Sequence, residues 1–529
     1  MRPLFSALHA ADSTRGLHFY RGYLHTPRFV SYAALAGNIA LAMDQLRAQG
    51  VGPGARIIFP FETSEAQIVA FLALLGVGAL PLSIRPHLSS ATRTSYLEFV
   101  AAVRERFGPV AIIDAPSLAG LDLPLPRLAL PAPLADPPPV TDPLPVRAPD
   151  ELAFVQFSSG STAFPKGVPI DYGKLQRNID MIVRQDGRGV DSPGTTWLPL
   201  FHDMGLVGGL LSTLRIGHHT HIASPADFFM APLAWLAHLS RLKISHTVIP
   251  NLAIDYCMRH LSTADAEDLA EVDLSALRFV YLGSEPINID NLAAFCDKLA
   301  PYGLRADALK PCYGMAEAVL FVSCTHADGR LRVITRPNGQ RAIASGRLDP
   351  AFEIEIRDED GRVCAPGELG EIYLRGGTLA GRYFEDTRPM LAADGFYATG
   401  DLGFLDDGDL FIAGRSGDRF KMNAQSFFSN DFEQLVESLP CVRQSRVAVI
   451  QVEGRVIVLA EPASRKVLGA RAEHEANIIA RIADATGVKV APEDVVFIYP
   501  NQLLFTSSGK LRRHAIAEAF AAGTIKRLF

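Results

Sequence analysis

Phe154-Val-Gln-Phe-Ser158-Ser159-Gly160-Ser161-Thr162-Ala163-Phe164-Pro165-Lys166-Gly167-Val168 is the stretch on which the fold turns. A β-like apolar run enters a loop with four hydroxyl residues around one glycine, then Pro-Lys-Gly. Small residues let backbone N–H groups approach a polyphosphate closely, and a lysine adds charge. The string is not the Walker pattern, in which Gly-Lys-Ser/Thr opens a helix. A serine-rich surface turn would explain the hydroxyls alone, but not the ordered string.

Outward from this loop, strand and helix signals alternate. Ser31 precedes apolar residues at helical spacing, and Gly50 follows them as a terminating glycine. Arg56 to Phe61 predicts a strand, Glu65 to Leu75 a helix, Ala79 to Ser83 and Val110 to Asp114 further strands. Such alternation predicts a layered α/β architecture around a largely parallel sheet. The apolar run Ile68 to Ile84 contains Gly76, Gly78 and Pro81 and falls short of the roughly 20 residues of a membrane helix. It reads as a buried helix entering a buried strand. Residues 115–149, with Pro137-Pro138-Pro139, read as an extended surface connector. Phe352 to Leu374 reads as a β-rich subdomain with a turn at Asp360-Gly361, and Val447–Val452 with Arg455–Ala460 as a hairpin.

The chain has 529 residues, 48% hydrophobic and 20% charged, which is globular and allows about two to four domains. Its 51 basic and 57 acidic residues give a net charge of −6, without the basic footprint of a nucleic-acid binder. The six cysteines form no C-x-x-C pair, which argues against structural zinc and suits unpaired thiols in a reducing cytoplasm. The first twenty residues lack a secretory pattern.

Five further motifs follow in order. They are Trp197-Leu-Pro-Leu-Phe201-His202-Asp203-Met204-Gly205; Leu282-Gly283-Ser284-Glu285-Pro286; Cys312-Tyr313-Gly314-Met315-Ala316-Glu317; Tyr397-Ala-Thr399-Gly400-Asp401, with Gly414-Arg415 beyond it; and Phe505-Thr506-Ser507-Ser508-Gly509-Lys510. Taken singly, each suits an ordinary turn or surface residue.

In this order, with the loop at Ser158–Lys166, they resemble the acyl-adenylate-forming superfamily over nearly the whole chain, and most closely the fatty acyl-AMP ligases and acyl-CoA synthetases. The resemblance implies a two-part molecule. Residues 1–415 would form a large AMP-binding α/β domain with a β-rich subdomain, and residues 416–529 a small mobile α+β domain carrying the adenylation lysine, Lys510. It implies ATP and Mg²⁺ as cofactors. Ser158, Ser159, Gly160, Ser161, Thr162 and Lys166 would cradle phosphates. His202 would gate the acyl pocket, and Gly283, Ser284, Glu285 and Pro286 would lie against adenine. Tyr313, within Tyr313-Gly314-Met315, would stack on adenine, and Glu317 with Thr162 would hold the metal. Asp401 would accept the ribose hydroxyls, with Arg415 on ribose and phosphate.

The implied reaction is adenylation of a carboxylic acid, with a fatty acid favoured, then transfer to the phosphopantetheine thiol of a stand-alone acyl carrier protein. Free CoA is the alternative acceptor. The insertion that fatty acyl-AMP ligases carry before Thr-Gly-Asp is missing, since only Glu385 to Phe396 separates Tyr383-Phe384 from Tyr397. Gly417 and Ala424 also depart from the hinge loop of relatives, which keeps a catalytically impaired nucleotide-binding homologue as a further alternative.

Overall fold

Ser31 and Ser64 each place a side-chain oxygen on a backbone N–H of the first helical turn, from Ala34 and Gln67. These caps start the helices Tyr32–Ala48 and Glu65–Val77 where serine competes best for the backbone. The second helix is buried from Gln67 to Val77 and ends at Gly78, φ +78°, where only glycine is comfortable. It leads into Leu80–Ile84, buried throughout. The expected buried helix and strand are both present.

In the computed structural model, residues 4–10, 12–87, 93–140, 145–157, 166–325, 329–336, 341–422, 425–506 and 510–528 are described. One six-stranded sheet runs in the spatial order Arg127–Leu128, Ala111–Ile113, Arg56–Pro60, Leu80–Ile84, Leu152–Phe157, Gly167–Asp171. All its neighbours are parallel except the last pair. A nine-stranded sheet lies beside it. Its six central strands, Leu309–Gly314, Phe279–Gly283, His246–Pro250, Gly194–Thr196, Thr220–Ile222 and Gly16–Phe19, are parallel neighbours in that order. One hydrophobic core is shared between the layers. The β-rich subdomain is an antiparallel sheet of Phe352–Arg357, Gly370–Gly376, Tyr397–Asp406 and Asp409–Arg415.

The stretch 115–149 is more than the free connector expected. Leu118, Leu121 and Leu128 are buried, and Arg127–Leu128 adds a parallel edge strand. Asn38 bonds both the N–H and the C=O of Leu134, at 2.8 and 3.0 Å. Arg147 donates to Gly76 O at 2.7 Å. Leucines spaced among prolines conceal this, because their burial depends on a surface formed elsewhere.

From Arg419 onward the chain gathers around cores of its own. Val442–Val452, Arg455–Pro462 and Val495–Phe497 form one sheet. Alternation sends Val447 and Val449 to one core and Ala448 and Ile450 to the other. The helices Ser429–Glu437 and Arg471–Thr486 contribute Phe432 and Ile478 to the first, and Arg513–Ala521 contributes Ile516 to the second. Arg513 joins Asp418 and Glu433 at 2.7 and 2.6 Å.

Four buried imidazoles, His218, His221, His238 and His246, line the strands of the larger sheet or the helix beside them, and burial is the main force holding each neutral. A histidine whose folded pKa lies below its unfolded value of about 6.5 contributes fully above that pH and loses its contribution as the pH falls. Each should cost up to about 1.4 kcal/mol per unit of pH below 6.5. The urea midpoint should therefore drop steeply between about pH 7 and pH 5.5, and a flat profile would contradict this account of the core.

Candidate active site

The parallel strands of the larger sheet deliver their C-terminal ends to one place, where open α/β sheets bind ligands. Phe279–Gly283 ends there, and a Cβ on Gly283 would stand 2.8 Å from Cys312 Sγ, so the two strand ends touch only because position 283 is glycine. Ser284 follows with φ +74°, a conformation that a short polar residue tolerates. Glu285 turns inward and accepts the Leu252 N–H at 3.0 Å, and burial raises its pKa. Pro286 is exposed just beyond and joins none of these contacts.

Leu309–Gly314 ends on Tyr313, whose hydroxyl donates to Asp401 Oδ2 at 2.6 Å. Arg415 Nε meets Asp401 Oδ1 at 3.0 Å. The three predicted residues Tyr313, Asp401 and Arg415 thus form one unit across the two layers. Each Asp401 oxygen keeps a further lone pair for a ligand hydroxyl. Gly314 is required there: a Cβ would lie 1.8 Å from Leu320 O. Met315 follows, half-buried, and its N–H donates to that carbonyl at 2.8 Å. Val319, with φ +73° and ψ −56°, adopts a strained tight turn two residues after Glu317.

Glu317 accepts the Tyr383 hydroxyl at 3.0 Å, Tyr397 stands 3.4 Å from that hydroxyl, and Lys166 Nζ lies over the Tyr383 ring at 4.7 Å. Burial raises the Glu317 pKa. Tyr383 therefore links the exit of the hydroxyl-rich loop to the carboxylate. Residues 158–165, including the candidates Ser158, Ser159, Gly160, Ser161 and Thr162, lie outside the described residues. Their flanks, Phe157 and Gly167, are register partners in adjacent antiparallel strands.

His202 precedes Met204–Leu211, which winds as a π-helix, a form frequent at functional sites. Gly205 permits it, since a Cβ there would lie 2.3 Å from Pro199 O. The His202 imidazole is kept neutral to about pH 4 by burial and by the Lys510 charge, and its Nε2 is buried without a partner. Asp203 accepts the Met204 N–H at 2.8 Å, and burial raises its pKa.

Lys510 comes from the far end of the sequence. Thr506 N–H donates to Lys510 O at 2.7 Å, and Lys510 N–H donates to Thr506 Oγ1 at 3.1 Å; Ser507, Ser508 and Gly509 between them lie outside the described residues. Its ammonium feels the charges of Arg415, Glu285, Asp203 and Asp401, and burial lowers its pKa. Sequence reasoning missed Tyr383 and Tyr397 as site residues and gave Asp203 no part. Their signal was position alone, within motifs already quoted, because a tyrosine hydroxyl announces no partner in sequence.

A site that places a lysine among carboxylates beside an Asp–Tyr–Arg unit is arranged for a phosphorylated ligand. Residues 10–384 match the pattern of the AMP-binding enzymes. This chain belongs to that family. A medium-chain-fatty-acid–[acyl-carrier-protein] ligase, JamA of Moorena producens, is 35% identical over 71% of this chain and 69% of its own. A putative acyl-CoA synthetase of Caulobacter vibrioides is 30% identical, over 97% and 94%. A solved structure from studies of fatty acyl-adenylate ligases of E. coli and L. pneumophila superposes with a TM-score of 0.87, at 27% identity, over 99% of both chains. Within this AMP-binding fold, Gly314→Ala should cost about 1–3 kcal/mol through overpacking. The thermal midpoint should fall with it, and an unchanged midpoint would show that Leu320 yields freely.

Proposed function

We propose that this AMP-binding enzyme activates a carboxylic acid, best a fatty acid, with ATP and passes the acyl group to the phosphopantetheine thiol of an acyl carrier protein. The observation that carries the reading is the convergence of Lys510 with Asp401 and Arg415, from about a hundred residues earlier, and with Asp203 and Glu285 from the first part of the chain, on one cluster.

In the first step a carboxylate oxygen attacks the α-phosphorus of ATP. A new P–O bond forms, the bond to the β-phosphate oxygen breaks, and pyrophosphate leaves. The nucleophile is already an anion, so no side chain need remove a proton. The barrier is the meeting of two anions, which fixed positive charge lowers. Lys510 bridges the substrate carboxylate and α-phosphate, Lys166 and the hydroxyl loop hold the outer phosphates, and Arg415 steadies the ribose–phosphate link. Asp401 reads the ribose, and the Tyr313 ring covers the adenine face. Gly283 to Pro286 border the base, and His202 stands at the acyl entrance.

Glu317 suits a magnesium ion. Its carboxylate accepts one tyrosine hydroxyl, and burial disfavours its charged form, which a cation beside it would offset. One carboxylate with substrate phosphates is how Mg²⁺ is commonly held. When bound, the ion would neutralise phosphate charge.

Residues 1–415 form the AMP-binding domain in this reading, and 416–529 the mobile domain that presents Lys510. Gly417, with open space around it, serves as the pivot. The cytoplasm suits the six free thiols. Acyl carrier protein is favoured as acceptor by the relative JamA, named for that partner. One observation favours CoA instead. Residues 385–396 make only a tight connection, bridged at Arg382 and Pro389, with no added element.

ATP–pyrophosphate exchange across fatty, aryl and amino acids tests the reading, and no exchange with any acid overturns it. Lys510→Ala should lower exchange by about a hundredfold or more. Asp401→Ala should weaken ATP binding about 10- to 100-fold, the loss of charge-assisted hydrogen bonds. Offering the adenylate both CoA and holo-carrier protein, and following thioester formation, identifies the acceptor.

A further inference from the structure

One short stretch of chain, residues 380–384, grips Glu317 twice. Ala380 N–H donates to Glu317 O at 2.8 Å, and the Tyr383 hydroxyl donates to Glu317 Oε1 at 3.0 Å. Backbone and side chain of one residue are thus fixed by partners three positions apart. The far end of the stretch is fastened to the exit of the hydroxyl-rich loop. Phe384 N–H donates to Gly167 O at 2.7 Å, and the Tyr383 ring lies under the Lys166 ammonium at 4.7 Å.

The stretch itself is anchored. Phe384 is buried against Phe107, their ring centres 5.7 Å apart, and Glu385 pairs with Arg56 at 2.7 Å. Met390 N–H closes the turn that follows on Gly381 O at 2.9 Å. Tyr383 therefore reaches Glu317 from a rigid platform, as a group that must orient another side chain requires.

The sense of the hydrogen bonds follows from the chemistry of the carboxylate. An ionised Glu317, the form that can hold a cation, only accepts, so the Tyr383 proton lies toward it. The Tyr383 oxygen is then left to accept, and the Tyr397 hydroxyl, 3.4 Å away, is the donor that faces it. Tyr397, Tyr383 and Glu317 form a one-way chain ending on the carboxylate, each link polarised in the same sense. The Tyr397 link is the longer and weaker of the two. With Oε1 pinned, the carboxylate no longer turns about its last bond, and its remaining lone pairs keep one heading.

We infer that Tyr383 is a positioning residue for the metal: it holds Glu317 in the orientation that receives Mg²⁺, and Tyr397 supports that hold from behind. The inference rests on the adenylation reading above. Its effect passes through Glu317 and not through contact with the reacting atoms. Because the same stretch grips Gly167 and carries Lys166 on the Tyr383 ring, the carboxylate for the ion and the lysine for the outer phosphates are kept in register.

Mn²⁺ is the probe, bound together with α,β-methylene-ATP, which cannot release pyrophosphate. Electron paramagnetic resonance then reads metal affinity without turnover. Tyr383→Phe keeps the ring under Lys166 and removes only the hydroxyl. Its Mn²⁺ affinity should fall about 10- to 100-fold, the usual cost of losing a hydrogen-bond partner of a metal ligand. Tyr397→Phe should show a smaller loss. In a Glu317→Ala background, Tyr383→Phe should cause no further loss, since the residue through which it acts is gone. In the exchange assay the Mg²⁺ concentration for half-maximal rate should rise in parallel, and part of the lost rate should return at high Mg²⁺. Metal-free binding of the analogue, which reports a folded site, should change far less. Unchanged Mn²⁺ affinity in Tyr383→Phe overturns the inference, and so does an equal loss in the Glu317→Ala background. Should Tyr383→Phe fail to fold, Tyr397→Phe carries the test, and an affinity equal to that of the wild type overturns it. Wild-type enzyme that exchanges with no acid overturns the adenylation reading instead.

Discussion

Lys510 is where the constraints on this molecule meet. An ammonium drawn out of water is costly unless carboxylates surround it. Here Glu285, Asp203 and Asp401 supply them, while Arg415 opposes. No two of these residues are neighbours in sequence. The sheets must bring strand ends together, the antiparallel subdomain must carry Asp401 and Arg415 to that edge, and the last part of the chain must fold back to present Lys510.

The same electrostatics organises the rest of the site. Glu317 accepts the Tyr383 hydroxyl and feels the Arg415 charge, His202 is kept neutral beside Lys510, and Asp203 is spent partly on a helix N–H. Burial pushes all three carboxylates, Asp203, Glu285 and Glu317, toward neutrality. That is the signature of a site waiting for charged partners rather than of a stabilising ion-pair network. Close packing of glycines makes the arrangement possible. Gly283 and Gly314 stand where any Cβ would collide with sulfur or carbonyl oxygen, so strand ends and turns approach as closely as the ligand contacts demand.

The α/β class, the cap at Ser31, the buried run through Ile84 and the ordered motifs were legible in the sequence, because each is written in local spacing and turn chemistry. The family likeness rested on those same motifs. That Tyr383 and Tyr397 flank Glu317, that the Lys510 charge reaches Asp203, and that the proline-rich stretch 115–149 is fastened down by Asn38 and Gly76 emerges only from the fold. Those contacts join residues tens to hundreds of positions apart. Periodicity shows which side of an element is apolar, but a hydroxyl or an imidazole nitrogen acquires its partner, or lacks one, only when distant strands set the distance.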